Sequence, residues 1–250
     1  MFIITQRKID QQNAGKVAKG SIASYASKRM VTFRLREKAL LFDLDGTLVD
    51  SKRDLASAAN AARASIGLPS LSNEAVQAHV GLGVDSLIRS ILGTEDPDLF
   101  RQAKESFISY YRKHLLDHTH IFEGLEPIIK TLQRNQAGIV TNKARMFTLP
   151  LLEGLGISGR FGAIVTPEDT GQKKPNPEPL LYALHLLGLP PERAVIVGDS
   201  RYDIEAGRRA GLQTVAVLWG FGTPEEIERA NPDIILRSPN DLAKLLSMPR

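Results

Sequence analysis

Cysteine is absent from the chain, which excludes disulfides, thiolate metal sites and a cysteine nucleophile. A cysteine-free sequence fits a reducing compartment, and a cytoplasmic location is the expectation. Long apolar runs are missing as well: no stretch of about 18 apolar residues occurs, so a membrane span is not expected. There is no internal repeat, and the only biased tract is the short KPNPEP at 174–179, which reads as a turn leading into a helix.

What remains is the composition of an ordinary globular protein, 42% hydrophobic and 24% charged over 250 residues. That length suits one elaborated domain or two modest ones. The net charge of +4 invites a nucleic-acid reading until it is located along the chain. Residues 1–38 hold nine Lys/Arg against Asp10 and Glu37, whereas residues 39–250 hold 23 basic against 26 acidic residues. The excess belongs to the leader, so no nucleic-acid partner is expected for the globular body. The leader, 1–37, lacks the apolar core of a secretory signal. It reads as a disordered basic extension or as sequence upstream of a true start at Met30, with a faint likeness to an organelle transit peptide.

From residue 39 onward short aliphatic runs alternate with helical patterns. Strands are expected at 39–44, 137–141, 162–166, 194–198, 214–218 and 233–236. These are continuous apolar runs, as in a parallel sheet covered by helices on both faces. Helices are expected within 125–134, 147–155, 177–187 and 203–210, several ending at a glycine (Gly156, Gly188, Gly211). The pattern is that of a doubly wound, mostly parallel α/β sheet. Residues 53–119 break the rhythm. Leu55, Ala58, Ala59, Ala62 and Ile66 recur at helical spacing, as do Leu99, Ala103, Phe107, Tyr110/Tyr111 and Leu115, and no strand intervenes. The expected organisation is a core of 38–52 and 120–250 carrying an all-helical insertion, 53–119.

Ligands of open α/β sheets gather at the carboxyl ends of the strands. Four polar segments fall there: Asp43, Asp45 and Gly46; Thr141, Asn142 and Lys143; Lys173 and Lys174, in the loop after the third strand; and Asp199 to Asp203. Together they bring four carboxylates, a hydroxyl and a lysine to one crevice. Carboxylates converging without compensation repel, so a hard divalent cation is expected, and oxygen-only ligands suit Mg²⁺. A lysine and a threonine hydroxyl facing the same point suit a phosphate, and turn amides around Gly46 add donors. A carboxylate in such a site can attack phosphorus directly.

FDLDGTLVDS, VTNK, KKPNPEP and VGDSRYDI, in this order, resemble the four motifs of the haloacid dehalogenase-like hydrolase superfamily, and more closely its phosphoglycolate phosphatase-type branch. The resemblance implies a Rossmann-like core with a helical cap and a Mg²⁺-dependent phosphatase acting through an aspartyl phosphate. It implies that Asp43 is the nucleophile and Asp45 the general acid and later base. It also implies that Thr141 and Lys174 hold the phosphoryl group with Gly46 and Asn142, that Asp199 binds the metal with Asp43 and the backbone carbonyl of Asp45, and that Asp203 supports Lys174 or the metal shell. Of the two lysines, Lys174 directly precedes proline as in the family, and Lys173 is expected at the surface.

The expected substrate is a small phosphorylated metabolite, with 2-phosphoglycolate leading, and the expected state a monomer or homodimer. The alternatives are a pyrophosphatase, nucleotidase or sugar-phosphate phosphatase, a phosphomutase similar to β-phosphoglucomutase, and a non-catalytic regulatory relative. Two other signals carry less. His114, His118 and His120 lack an accompanying carboxylate ligand pattern and read as solvated helix-end residues rather than a zinc site. Gly81-Leu82-Gly83 follows no strand and reads as a turn between helices, although HVGLGVDSLI also resembles a cap segment that faces the active site in phosphoglycolate phosphatases.

Overall fold

The structure, a computed structural model, describes residues 3–4 and 37–247. The expectations for the leader therefore lie outside the described residues, apart from Ile3–Ile4 and Glu37. Strands β2 (Ala39–Phe42), β5 (Ala137–Val140), β6 (Ala163–Val165), β7 (Ala194–Gly198), β8 (Gln213–Val217) and β9 (Ile234–Leu236) form a parallel sheet. β1 (Ile3–Ile4) adds antiparallel to β9, and the order is β1-β9-β8-β7-β2-β5-β6. All six expected strands are present, each shifted by a residue or two at most. Every residue of β2, β5 and β7 is buried, because helices cover both faces of the sheet and leave no solvated side to alternate against.

Helices α5 (Leu125–Thr131), α6 (Arg145–Gly154), α7 (Pro167–Thr170), α8 (Glu178–Leu187), α9 (Arg201–Arg209), α10 (Pro224–Ala230) and α11 (Pro239–Ser247) complete the core. β2 lies between β7 and β5. The chain runs from β2 outward to β5 and β6 and then crosses to β7, so the carboxyl end of β2 sits at the topological switch point. Asp43 follows that strand, its N–H donating to the Val197 carbonyl at 2.9 Å.

The excursion between β2 and β5 begins and ends in a feature that periodicity does not reveal. β3 (Val49–Asp50) and β4 (His120–Ile121) pair antiparallel, setting Asp50 opposite His120. Between them lie only helices: α1 (Lys52–Ser65), α2 (Asn73–Gln77), α3 (Val84–Leu92) and α4 (Pro97–Lys113). α4 starts in a well-formed cap, with Pro97 in its first turn and Asp96 accepting from the N–H groups of Asp98 and Leu99. The apolar stripe of α4 turns inward: Phe107 and Tyr111 pack on Phe147 of α6, with ring centroids 6.4 and 5.0 Å apart. Each such fully buried aromatic contributes roughly 1.5–3 kcal/mol, so this cluster joins the insertion to the core firmly.

Both ends of the excursion are tied by Asp54 in the first turn of α1. This buried carboxylate accepts from the N–H of His118 at 3.0 Å, and from the N–H and hydroxyl of Thr119 at 2.8 and 2.7 Å. Among the described residues no helix is long and apolar enough to cross a membrane.

Candidate active site

The expected site residues come from the carboxyl ends of strands and from the loop and helix turn that follow them, and the four segments do converge. Lys174 comes from the loop after α7 and reaches across β5. Its ammonium donates to the Val140 carbonyl and to Asp203 Oδ1, both at 2.6 Å, and pairs with Asp43 Oδ1 at 2.9 Å. Its three protons are thus all engaged. The side chain is only 2% exposed. Burial alone would lower its pKa, but Asp203 and Asp43 outweigh that and hold it above the ordinary value, so the charge persists.

Asp203 is wholly buried in the first turn of α9. Its second oxygen accepts from the Ser200 N–H and hydroxyl at 3.1 and 2.6 Å, completing a capping box. Helix entry and support of Lys174 are one arrangement. Asp199 is held just before it: Thr47 donates its hydroxyl to Oδ1 at 2.8 Å and the Phe221 N–H donates to Oδ2 at 2.7 Å. A methyl group at Gly46, where φ is +83°, or at Gly220 would run into the Asp199 carboxylate. The two glycines thus form the sides of the slot it occupies.

Oxygens of Asp43, Asp199 and Asp203 lie within 4.8 Å of one another, the one such group among the described residues. Burial raises the Asp43 pKa to about 6, against the pull of Lys174. Burial, followed by the charges of Asp43 and Asp203, raises Asp199 to about 8. Asp43 and Asp203 share Lys174, and the raised pKa values of Asp43 and Asp199 mark the positive charge the cluster lacks.

Asp45 stands apart from this cluster. Its Oδ1 accepts from Ser51 at 2.6 Å, and its two oxygens accept from Lys143 Nζ at 3.1 and 3.0 Å. Lys143 also donates to the Tyr111 hydroxyl at 2.7 Å. Thr141 accepts the Lys143 N–H at 3.1 Å and keeps its own proton to donate. Two expected phosphate-binding residues also make bonds within the protein. The Asn142 side chain donates to the carbonyls of Gly81 and Lys174 and accepts from the Lys174 N–H, and the Gly46 N–H donates to the Val49 carbonyl. Asn142 shapes the Lys174 loop, and Gly46 makes room for Asp199. Lys173 is exposed as expected, yet its ammonium reaches the Leu82 carbonyl at 3.0 Å. His114 pairs with Asp117.

These residues face a cavity of about 210 Å³ whose far wall is the insertion, including Leu55, Gln77, Val84, Leu87 and Phe107. Lys143 and Tyr111 went unassigned in the sequence. The lysine lies inside the quoted VTNK, but the tyrosine occupies an apolar-stripe position and only its hydroxyl betrays another use. Thr47 lies inside the quoted FDLDGTLVDS without a role assigned to it, and Phe221 carries no sequence signal.

The family of haloacid dehalogenase-like hydrolases matches residues 40–217. A phosphoglycolate phosphatase of Chromobacterium violaceum is 41% identical over 191 residues, 74% of this chain and 86% of that protein. An N-acetylmuramic acid 6-phosphate phosphatase of Pseudomonas aeruginosa is 34% identical, covering 85% of this chain and 96% of its own length. A crystal structure described as a predicted phosphoglycolate phosphatase from Haemophilus somnus superposes with a TM-score of 0.79 at 29% identity, covering 87% of this chain and 99% of that one. With its four motifs gathered at one sheet edge, the chain belongs to the haloacid dehalogenase-like hydrolases, in the branch of the phosphoglycolate phosphatases.

Proposed function

We propose that this phosphatase hydrolyses a small phosphate monoester, foremost 2-phosphoglycolate, through a phosphorylated Asp43. The observation that carries the reading is the meeting of Asp43, Asp199 and Asp203 within 4.8 Å, with Asp43 and Asp199 lining the cavity. A nucleophilic carboxylate must be ionised and accessible. Asp43 lies beside Lys174 and lines the cavity.

In this reading an Asp43 oxygen attacks phosphorus and the bond to the leaving oxygen breaks as Asp45 supplies its proton. Water then attacks the aspartyl phosphate, Asp45 takes the proton back, and inorganic phosphate and free Asp43 result. Thr141 donates its hydroxyl to the phosphoryl oxygens, while Lys174 acts through the Asp43 oxygen it grips. Mg²⁺ is the group that fits the acidic cluster: the donors are all oxygen, each carboxylate keeps unused lone pairs, and the glycine-walled slot of Asp199 leaves no room for another protein ligand. Asp43, Asp199 and the main-chain carbonyl of Asp45 would hold it, with Asp203 behind. When bound it supplies positive charge to the spreading phosphoryl oxygens.

We assign residues 53–119 the part of a cap over a core of 38–52 and 120–250, excluding bulk water and contacting the leaving group. The setting is that of a cytoplasmic enzyme, monomer or homodimer. A sugar phosphate is the second reading, favoured by the relative named for N-acetylmuramic acid 6-phosphate and by the apolar far wall.

Phosphate release should be ranked by kcat/KM across 2-phosphoglycolate, N-acetylmuramic acid 6-phosphate, a nucleoside monophosphate and pyrophosphate, with β-glucose 1-phosphate isomerisation measured alongside. The expected order has 2-phosphoglycolate first and no isomerisation. Asp43→Asn is expected to lose on the order of 10⁴-fold or more in kcat, and chelation to abolish turnover until Mg²⁺ is restored. A fully active Asp43→Asn protein, or turnover indifferent to chelation, overturns the reading.

A further inference from the structure

The proton-transfer aspartate is held more elaborately than phosphoryl chemistry alone asks. Lys143 spans both Asp45 oxygens, which fixes the plane of the carboxylate as well as its place. Its side chain is 4% exposed. A lysine buried to that degree needs partners for its ammonium protons, and these come from two separate parts of the chain. Asp45 belongs to the turn after β2, whereas Tyr111 belongs to α4 of the insertion. The Tyr111 ring is 1% exposed and wedged against Phe107 and Phe147, so the hydroxyl has little freedom to leave Lys143. Ring packing accounts for an aromatic side chain at this position. It does not account for the hydroxyl, whose 2.7 Å bond to Lys143 is the link from the insertion to Asp45.

We propose that Lys143 and Tyr111 are positioning residues for Asp45: Tyr111 fixes Lys143, Lys143 fixes the carboxylate, and proton transfer to the leaving oxygen therefore requires α4 in its packed position. The inference rests on the proton-transfer role given to Asp45 above. It concerns the first half of the reaction, in which a poor leaving group needs a proton and a good one does not.

The test compares kcat/KM, which reports steps up to formation of the phosphorylated enzyme, for two substrates in saturating Mg²⁺. Glycerol 3-phosphate has a leaving group that needs protonation and carries no further charge for Lys143 to bind. p-Nitrophenyl phosphate releases a stable phenolate unaided. General acid catalysis contributes roughly 10²–10⁴-fold, so Asp45→Asn is expected to lose about 10²-fold or more on glycerol 3-phosphate and about 3-fold or less on the aryl ester. Lys143→Met is expected to lose about 30-fold and Tyr111→Phe about 5-fold on the alkyl ester, each within about 3-fold on the aryl ester, as partial losses of the same contribution. Thermal melts accompany each variant, and Tyr111→Phe, which keeps the ring, decides if Lys143→Met fails to fold. Equal losses on both substrates, or none on either, in Tyr111→Phe and Lys143→Met overturn the inference, while a selective Asp45→Asn leaves the parent reading standing. An Asp45→Asn protein without selectivity overturns both.

Discussion

At the scale of single residues, Asp199 is where charge is dearest. Its pKa is pushed up to about 8 and that of Asp43 to about 6, in both cases by burial first. From the ordinary carboxylate value near 3.8 upward, the folded chain therefore keeps protons that the unfolded chain has already released. Stability from these groups is present at low pH and declines as pH rises from about 4 to about 8. The melting temperature of chelated protein is expected to fall across that window, and Asp199→Asn to flatten the decline. Protons and a divalent cation compete for the same oxygens, so added Mg²⁺ should raise the melting temperature more at pH 8 than at pH 5. A Mg²⁺ effect equal at both values would contradict the assignment. The sequence made Asp43, Asp199, Asp203 and Lys174 legible because each falls in one of four ordered motifs at or soon after a strand end. It could not reveal that Lys174 is saturated by two carboxylates and a carbonyl, or that Asn142 serves the loop, since those uses depend on which loops meet.

At the scale of elements, two very short strands mark where the insertion leaves and rejoins the core. β3 and β4 are two residues each, below the length at which alternation can be recognised, so the sequence gives no hint of them. Asp54 reads as an ordinary first-turn acid favoured by the helix dipole. In the folded chain it is instead the acceptor for three donors at the other end of the excursion. Asp54→Ala leaves those donors without their acceptor in a buried setting and is expected to cost about 2–3 kcal/mol. Urea unfolding checks this: the midpoint should drop with the slope unchanged. By contrast, the six parallel strands were legible to within a residue or two, because a run buried on both faces leaves a composition that no turn or surface helix shares. α7, α10 and α11 went unassigned.

At the scale of the whole molecule, the insertion is seated on the core by polar ties around the rim of the cavity. Asn142 donates to the Gly81 carbonyl at 2.8 Å, Lys173 to Leu82 at 3.0 Å and Gln77 to the Phe221 carbonyl at 3.1 Å. The Gly81-Leu82-Gly83 turn thus rests on the loops that carry Asn142 and Lys173. Lys173→Met removes one tie at an exposed position. It is expected to lower kcat/KM by about 3–5-fold through KM, with the melting temperature unchanged. Steady-state kinetics beside a thermal melt tests this, and a fall in kcat alone would point away from a seating role. Sequence spacing placed that turn between helices but offered no partner for it, since the partners come from two other loops.

Because Asp50 stands opposite His120, the excursion departs from and rejoins the core at neighbouring points, and the central strands do not register how long the detour was. A shorter or bulkier detour could be spliced between these two residues without re-registering the sheet. Selectivity for the organic half of a substrate would then be exchangeable by graft, provided the replacement brings its own hydroxyl to Lys143.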